Sequence, residues 1–122
     1  MNAKCQALFP YLFKGVKLLD FGAGRDESIA EMVKSFNGTY TAVDSSKQVQ
    51  EFFEEKGITC YSSLTDVMEQ YDIVFMSSVY HELLSYLNPL EVAVLTNKLA
   101  SLIKDDSKII IRDWNTLPTK EW

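Results

Sequence analysis

Runs of apolar residues alternate with amphipathic segments along the first half of the chain. Residues 16–21 form an apolar run that predicts a buried strand. Residues 27–36 predict a helix, because apolar side chains recur there at helical spacing, namely Ile29, Met32, Val33 and Phe36. Gly38 breaks this helix, and residues 39–43 are rich in β-branched and aromatic side chains, which favours a second strand.

The same alternation continues through the second half. Ser45 or Ser46 can cap a helix that ends at Gly57, and its apolar face consists of Val49, Phe52 and Phe53. Asn88 and Pro89 predict the start of another helix, since Asn caps and Pro fits the first turn. The buried face of that helix is expected to consist of Leu95, Leu99, Leu102 and Ile103. The remaining segments are strands at 58–61, 72–79 and 108–112, a short helix at 64–70 and a turn at Asp105 and Asp106.

Five strands that alternate with helices are typical of an α/β fold with a mostly parallel sheet. The chain has 122 residues, which fits one domain over residues 1–122. We therefore expect a single functional site, at the carboxyl ends of the strands where the strand order reverses.

Charge and composition narrow the class of ligand. The formal net charge is −5 and 47% of the residues are apolar, so capture of a nucleic-acid backbone is not expected. No uncharged apolar run is long enough for a membrane span, and no signal peptide is evident. Cys5 and Cys60 lack the spacing of a zinc site or a disulfide framework, which favours free thiols in the cytoplasm and no bound metal.

The loop after the first strand carries the main functional signal, and it reads Asp20-Phe21-Gly22-Ala23-Gly24-Arg25-Asp26. Gly22 and Gly24 allow a tight turn and a close approach of the backbone to a ligand. Asp44 ends the second strand, where an acid can bind ribose hydroxyl groups. The three residues together predict a nucleotide-type site.

The charge of this loop distinguishes between nucleotides. Asp26 and Glu27 lie at the start of the predicted helix, where they would repel a pyrophosphate. S-adenosylmethionine has no phosphate and carries a sulfonium and an ammonium group, so an acidic loop that contains Asp20 suits it. A dinucleotide such as NAD is disfavoured.

The sequence motifs around these residues resemble those of class I S-adenosylmethionine-dependent methyltransferases. The first motif of that family, an acid followed by three spaced glycines, is matched by LLDFGAGRD at Asp20, Gly22 and Gly24, with Asp26 in place of the last glycine. TAVDSS contains Asp44, the expected ribose acid, and YDIVFMSSVYHEL is similar to the fourth-strand motif. The resemblance implies a three-layer Rossmann-like methyltransferase fold. It also implies a cofactor site formed by Asp20, Gly22, Ala23, Gly24, Asp44, Ser45, Ser62, Ser63, Leu64 and Ser77.

Two departures from the family pattern bear on the site and the assembly. The acid that often binds the adenine amino group is replaced by the stretch Ser62-Ser63-Leu64, so a backbone group or Asp66 would have to substitute. The sequence ends within about ten residues of Arg112, so we expect the antiparallel hairpin that usually follows the fifth strand to be missing. A bare strand at residues 108–112 would leave unpaired backbone groups, so we expect a homodimer or a protein partner along that edge.

His81 is the candidate general base, because it is the single histidine and follows the fourth strand. Tyr80 or Glu82 can orient its imidazole. The alternative is a purely structural histidine, with methyl transfer driven by proximity alone. Ser77 and Ser78 contact substrate on one interpretation and satisfy backbone groups at the strand end on the other.

The function expected from these residues is methyl transfer from S-adenosylmethionine to a small-molecule or partner-presented acceptor. The alternative is a shortened module that binds or degrades the cofactor without methyl transfer and acts through a partner. Both need the same cofactor site, so the sequence leaves them open.

Overall fold

A computed structural model of the protein describes residues 2–77, 88–112 and 120–121. The strands are β1 Lys17–Phe21, β2 Thr39–Val43, β3 Cys60–Tyr61, β4 Tyr71–Ser77, β5 Ile103–Arg112 and β6 Lys120–Glu121. The helices are α1 Ala3–Leu8, α2 Ser28–Ser35, α3 Lys47–Glu55 and α4 Pro89–Ser101, with short 3₁₀ helices at Phe9–Tyr11 and Leu64–Asp66. Within these ranges, no helix is long and apolar enough to cross a membrane.

The strands form one sheet in the order β3-β2-β1-β4-β5-β6. All pairs from β3 to β5 are parallel, and β6 runs antiparallel to β5. The order reverses between β1 and β4, which lie side by side although β2 and β3 come between them in sequence. The predicted α/β fold with five parallel strands is confirmed, and the reversal point lies next to the glycine loop.

Side chains that alternate along the strands build a core on each face of the sheet. On one face, Leu18 and Phe75 pack with Ile29 and Val33 of α2 and with Leu8 of α1. On the other face, buried residues of the sheet pack with those of α4 and its flanks, namely Leu19, Val74, Met76, Leu99 and Leu102. The helices therefore cover both faces, in the expected three layers.

Two helical segments differ from the sequence-based expectation. The apolar N-terminal residues form α1, which buries Cys5 and Leu8, although no helix was expected there. The helix expected at 64–70 is only the 3₁₀ turn Leu64–Asp66, because Val67 is already extended (φ −84°, ψ 123°). Val67 is fully buried against the sheet, so packing outweighs the weak helical pattern.

The fifth strand is longer than expected and its edge is not bare. β5 begins at Ile103, which pairs with Tyr71, and the register then shifts before Lys108 pairs with Ile73. The oxygen of Ser107 accepts from the amide of Lys104 at 2.9 Å and donates to the carbonyl of Tyr71 at 2.6 Å, so the expected turn is a bulge within the strand. The expected bare edge was wrong at Ile110 and Ile111, which pair with β6.

Gly38 lies at a position that has no room for a side chain. A Cβ atom there would lie 2.4 Å from the carbonyl oxygen of Val16 and 2.8 Å from Cγ1 of Val33. We expect Gly38→Ala to lower the free energy of unfolding by about 3 kcal/mol, because the clash is with backbone. Urea denaturation measures the loss.

Gly57→Ala is the matched control. Gly57 ends α3 with φ +71° and has open space around its Cβ position. The control should lower the free energy of unfolding by only about 1 kcal/mol, the conformational penalty alone. Equal losses in the two variants would contradict the packing of β1 against the end of α2.

Candidate functional site

The loop after β1 is tied to the end of β2. Gly22 and Gly24 adopt φ values of 78° and 67°, in the left-handed region that favours glycine. The amide of Gly22 donates to the carbonyl of Val43 at 2.8 Å. The loop therefore turns across the carboxyl end of β2 and does not project into solvent.

Asp44 links this loop to the start of α3. Its Oδ2 atom accepts from the amide of Gly24 at 3.1 Å, and its Oδ1 atom accepts from the amide of Ser46 at 2.9 Å. The amide of Asp44 donates to the carbonyl of Tyr61 at 3.0 Å. Asp44 thus orients the ends of β1, β2 and β3 toward one another, and each carboxylate oxygen retains lone-pair capacity for a ligand donor.

The carboxylate of Asp26 places a negative charge at the start of α2. Oδ1 of Asp26 accepts from the amide of Ser28 at 2.9 Å. Partial burial acts to raise the pKa of Asp26, but the hydrogen bonds from Ser28 and the charge of Lys4 outweigh it, and the pKa lies below its usual value. An ionised carboxylate therefore occupies the place where a dinucleotide loop binds phosphate.

Asp20 lies on the α1 and α2 side of the sheet and is 1% exposed. The hydroxyl of Tyr40 donates to its Oδ2 atom at 2.6 Å, whereas Oδ1 is buried without a hydrogen-bond partner in the part of the chain that the structure describes. Burial raises the pKa of Asp20 to about 6, although the hydrogen bond from Tyr40 acts to lower it. A buried, half-satisfied carboxylate destabilises the fold, which is typical of functional sites.

A cavity of about 810 Å³ opens beside the glycine loop. Its volume lies within the range of small-molecule sites, about 300–1,000 Å³. The strand ends and the loops after them form one wall, and the first turns of α4 form the other. The lining residues include Phe21, Gly22, Gly24, Val43, Asp44, Ser45, Ser62, Ser63, Leu64, Leu90, Glu91, Val94, Leu95 and Lys98.

The expected cofactor residues fall into three groups. Those that line the cavity are Gly22, Gly24, Asp44, Ser45, Ser62, Ser63 and Leu64. Asp20 and Ala23 are buried outside the lining, each 1% exposed. Ser77 is the last residue of β4, and its side chain is outside the described part. The expected catalytic residues Tyr80, His81 and Glu82, together with Ser78, lie outside the described residues.

Asp66, a candidate from the sequence for the role of the adenine-binding acid, does not line the cavity. Its Oδ2 atom accepts from the hydroxyl of Ser62 at 3.4 Å. Among the described residues, the contact of Asp66 with the cavity lining therefore runs through Ser62, whereas Ser62 and Ser63 line the cavity themselves.

The wall formed by α4 was not expected from the sequence. Leu90 and Val94 are 73% and 58% exposed, although both line the cavity. A signal was present, because these two residues are four apart and offset from the buried face at Leu99 and Leu102. Tyr40, the partner of Asp20, was also missed, since a tyrosine in an amphipathic strand has no distinctive motif.

The fold and the site define a class of protein. It is a doubly wound α/β domain with a small-molecule cavity at the carboxyl ends of its strands, next to a glycine loop and a strand-end acid. The family profile described as "Methyltransferase domain" matches residues 1–122, so the chain belongs to this family. The expected resemblance to class I methyltransferases is thereby confirmed.

Solved structures share the fold. A TehB-like S-adenosylmethionine-dependent methyltransferase from Corynebacterium glutamicum superposes with a TM-score of 0.71 at 11% identity, over 91% of this chain and 61% of that one. An S-adenosylmethionine-dependent methyltransferase from Archaeoglobus fulgidus gives 0.68 at 25% identity, over 89% and 49%. Coclaurine N-methyltransferase bound to N-methylheliamine and S-adenosylhomocysteine gives 0.67 at 20% identity, over 88% and 33%.

The chain thus spans between 33% and 61% of the length of these three proteins. A search of curated protein sequences gives no match. The comparisons therefore define the family and the fold of the chain.

The buried carboxylate of Asp20 predicts an unusual dependence of stability on pH. The pKa of Asp20 is about 6 in the folded protein, above its ordinary value of 3.8. Its contribution to stability is therefore present below about pH 4 and lost as the pH rises through about 6. We expect Asp20→Asn to raise the free energy of unfolding by about 2–3 kcal/mol at neutral pH and by little near pH 4.

Urea denaturation across this pH range measures the effect, and Asp26→Asn is the matched control of opposite sign. Because the pKa of Asp26 is lowered in the folded protein, its contribution to the free energy of unfolding is lost as the pH falls. Asp26→Asn should therefore be less stable than the unmodified protein at neutral pH. A neutral or destabilising effect of Asp20→Asn at neutral pH would show that Asp20 is not buried as a charge.

Proposed function

We propose that this domain binds S-adenosylmethionine in the cavity beside the glycine loop and transfers its methyl group to a small-molecule or partner-presented acceptor. The observation that carries the proposal is the double role of Asp44, which is bonded to Gly24 and Ser46 and also lines the cavity. A carboxylate held in this way at the end of β2 is suited to accept from the two hydroxyl groups of a ribose.

The glycine loop fits a ligand that approaches the backbone closely. A Cβ atom at Gly24 would meet nothing within 4 Å, so the space above this residue is open on the side of its missing side chain. Ser62, Ser63 and Leu64 line the same cavity and offer polar groups and an apolar surface for an adenine ring. The residues present therefore fit the cofactor.

The electrostatics favour a cationic ligand without phosphate. Asp20, Asp26 and Asp44 lie close enough for the charges of Asp26 and Asp44 to raise the pKa of Asp20. Asp26 also occupies the first free amide of α2, where a phosphate would otherwise bind. A ligand with positive charge gains from this field, whereas a pyrophosphate is opposed by it.

When bound, the cofactor supplies an electrophilic methyl group on its sulfonium centre. The protein has to hold an acceptor nucleophile in line with that group and to exclude water. We keep His81 as the candidate base for the proton of the acceptor, oriented by Tyr80 or Glu82, with proximity alone as the alternative. We also propose a reducing cytoplasmic location, which suits the free thiols of Cys5 and Cys60.

The second candidate function is a module that binds or degrades the cofactor without methyl transfer. It is favoured by Asp26, which stands in place of the third glycine of the family motif and accepts from the amide of Ser28. A homodimer or a protein partner along β5 belongs to either proposal, since the pairing of β6 with that strand within the described residues is limited to Ile110 and Ile111. Such a partner can supply or complete the acceptor site.

Calorimetric titration with S-adenosylmethionine, followed by mass spectrometry of the products, tests the proposed function. We expect binding in the micromolar range, weakened about 100-fold or more in Asp44→Ala, because that variant removes both the ligand contact and the support of the loop. S-adenosylhomocysteine as product indicates methyl transfer, methylthioadenosine indicates breakdown, and unchanged cofactor indicates a binding module.

Asp105→Ala is the matched control, an exposed carboxylate near the opposite end of the sheet. It should bind the cofactor as the unmodified protein does. Equal loss of binding in both variants, or no binding by the folded protein, would contradict the proposed site.

A further inference from the structure

Tyr40 and Asp20 form a buried pair on the α1 and α2 side of the sheet. Residues 40 and 42 point to the same side of β2, and Ala42 is the register partner of Asp20 in β1. The hydroxyl of Tyr40 therefore reaches the carboxylate from the neighbouring strand, at 2.6 Å. The ring of Tyr40 packs against that of Phe53, with 5.9 Å between their centroids, which restricts its movement.

The pair leaves one carboxylate oxygen unused. Oδ2 of Asp20 accepts from Tyr40, whereas Oδ1 is buried and has no hydrogen-bond partner among the described residues. Burial and the charge of Asp20 raise the pKa of Tyr40, so its hydroxyl stays protonated and remains the donor. A buried carboxylate that accepts a hydrogen bond at one oxygen but not at the other retains most of its negative electrostatic potential.

Other charged and titratable groups act on Asp20 from each side. Lys4 of α1 lowers its pKa, whereas Asp26 before α2 and Asp44 after β2 raise it. Asp20 in turn acts to raise the pKa of Cys60 on β3. Of the groups that favour the ionised form of Asp20, Tyr40 makes the direct hydrogen bond and Lys4 acts through space.

We propose that Tyr40 is a positioning residue of the cofactor site, whose hydroxyl fixes the Asp20 carboxylate next to the glycine loop so that its negative charge selects the cationic cofactor over its neutral product. This inference rests on the proposed function. Asp20 precedes Gly22 by two residues and is outside the cavity lining, so it acts through space and not by contact.

Selection follows from the charges of the two ligands. S-adenosylmethionine and S-adenosylhomocysteine share the adenosine, carboxylate and ammonium groups, and the cofactor alone carries the sulfonium charge. An ionised Asp20 therefore stabilises the bound cofactor more than the bound product, by about tenfold in affinity. The pair thereby favours release of product and reloading of the site.

Protonation of Asp20 removes its negative charge and with it the preference for the cofactor over the product. The ratio of cofactor to product affinity should be constant above about pH 6, the region of the Asp20 pKa, and should fall below it. Binding of the cation favours the ionised form, so protons are released on binding in this range. Loss of the Tyr40 hydrogen bond raises the pKa of Asp20 further, which moves the fall to higher pH.

The test measures the affinities of both ligands by calorimetry between about pH 5 and pH 8, in buffers of different ionisation enthalpy. For Tyr40→Phe we expect the fall in the affinity ratio to begin about one pH unit higher than in the unmodified protein. For Asp20→Asn, which keeps an acceptor for Tyr40 but cannot ionise, we expect a ratio about tenfold lower and independent of pH.

Tyr71→Phe is the matched control. Tyr71 is buried, and its hydroxyl is hydrogen-bonded to Thr41 on the opposite face of the sheet. The ratio of cofactor to product affinity of Tyr71→Phe should have the same pH dependence as that of the unmodified protein, even if the variant is less stable. A purely structural role of Tyr40 would lower the stability of Tyr40→Phe without moving the fall in the ratio.

Every outcome of these binding measurements either supports or overturns the proposed role of Tyr40. If Tyr40→Phe does not fold, the Asp20→Asn profile and the protons released by the unmodified protein still test it. Cofactor binding with a ratio that is constant over the whole range, or that Asp20→Asn leaves unchanged, overturns the role of the pair and leaves the proposed function standing. Absence of cofactor binding by the folded, unmodified protein overturns both.

Discussion

The site depends on the two hydrogen bonds that the carboxylate of Asp44 accepts from backbone amides. This carboxylate joins the loop after β1 to the loop after β2 through the amides of Gly24 and Ser46. Gly22 adds a bond from the first loop to the carbonyl of Val43. Without these bonds two left-handed glycines would leave the loop free to adopt many conformations, and the cavity would lose one wall.

The negative charges around this loop have opposite effects on the stability of the fold. Asp26 stabilises the start of α2, whereas the buried Asp20 opposes folding once it is ionised. A fold selected for stability alone would place an apolar residue at the position of Asp20, between the buried Leu19 and the partly buried Phe21. A carboxylate at this position agrees with the proposed cationic ligand, because buried ionisable groups with a shifted pKa cluster at functional sites.

Much of the fold could be predicted from the sequence, because its elements follow a strong hydrophobic pattern. Strand β1, strand β2 and the cap of α4 lie within a residue or two of their expected positions. The bulge in β5 could not be predicted, since it depends on a bond between Ser107 and Tyr71, which are distant in sequence.

The site was predictable to the extent that it rests on local motifs. Gly22, Gly24 and Asp44 stand in recognisable positions, and the structure brings them to one cavity. The α4 wall at Leu90 and Val94 and the partnership of Tyr40 with Asp20 arise from tertiary packing between segments distant in sequence. A pattern read along one segment at a time contains no information on such contacts.

The most direct test of the account is a nuclear magnetic resonance titration of the isotope-labelled protein with S-adenosylmethionine. If the cofactor binds in this cavity, the largest changes in amide chemical shift will occur in the backbone that surrounds it, at Gly22, Gly24, Ser45 and Ser63. Changes confined to other surfaces, or none in a folded sample, would contradict the claim that this cavity is the cofactor site.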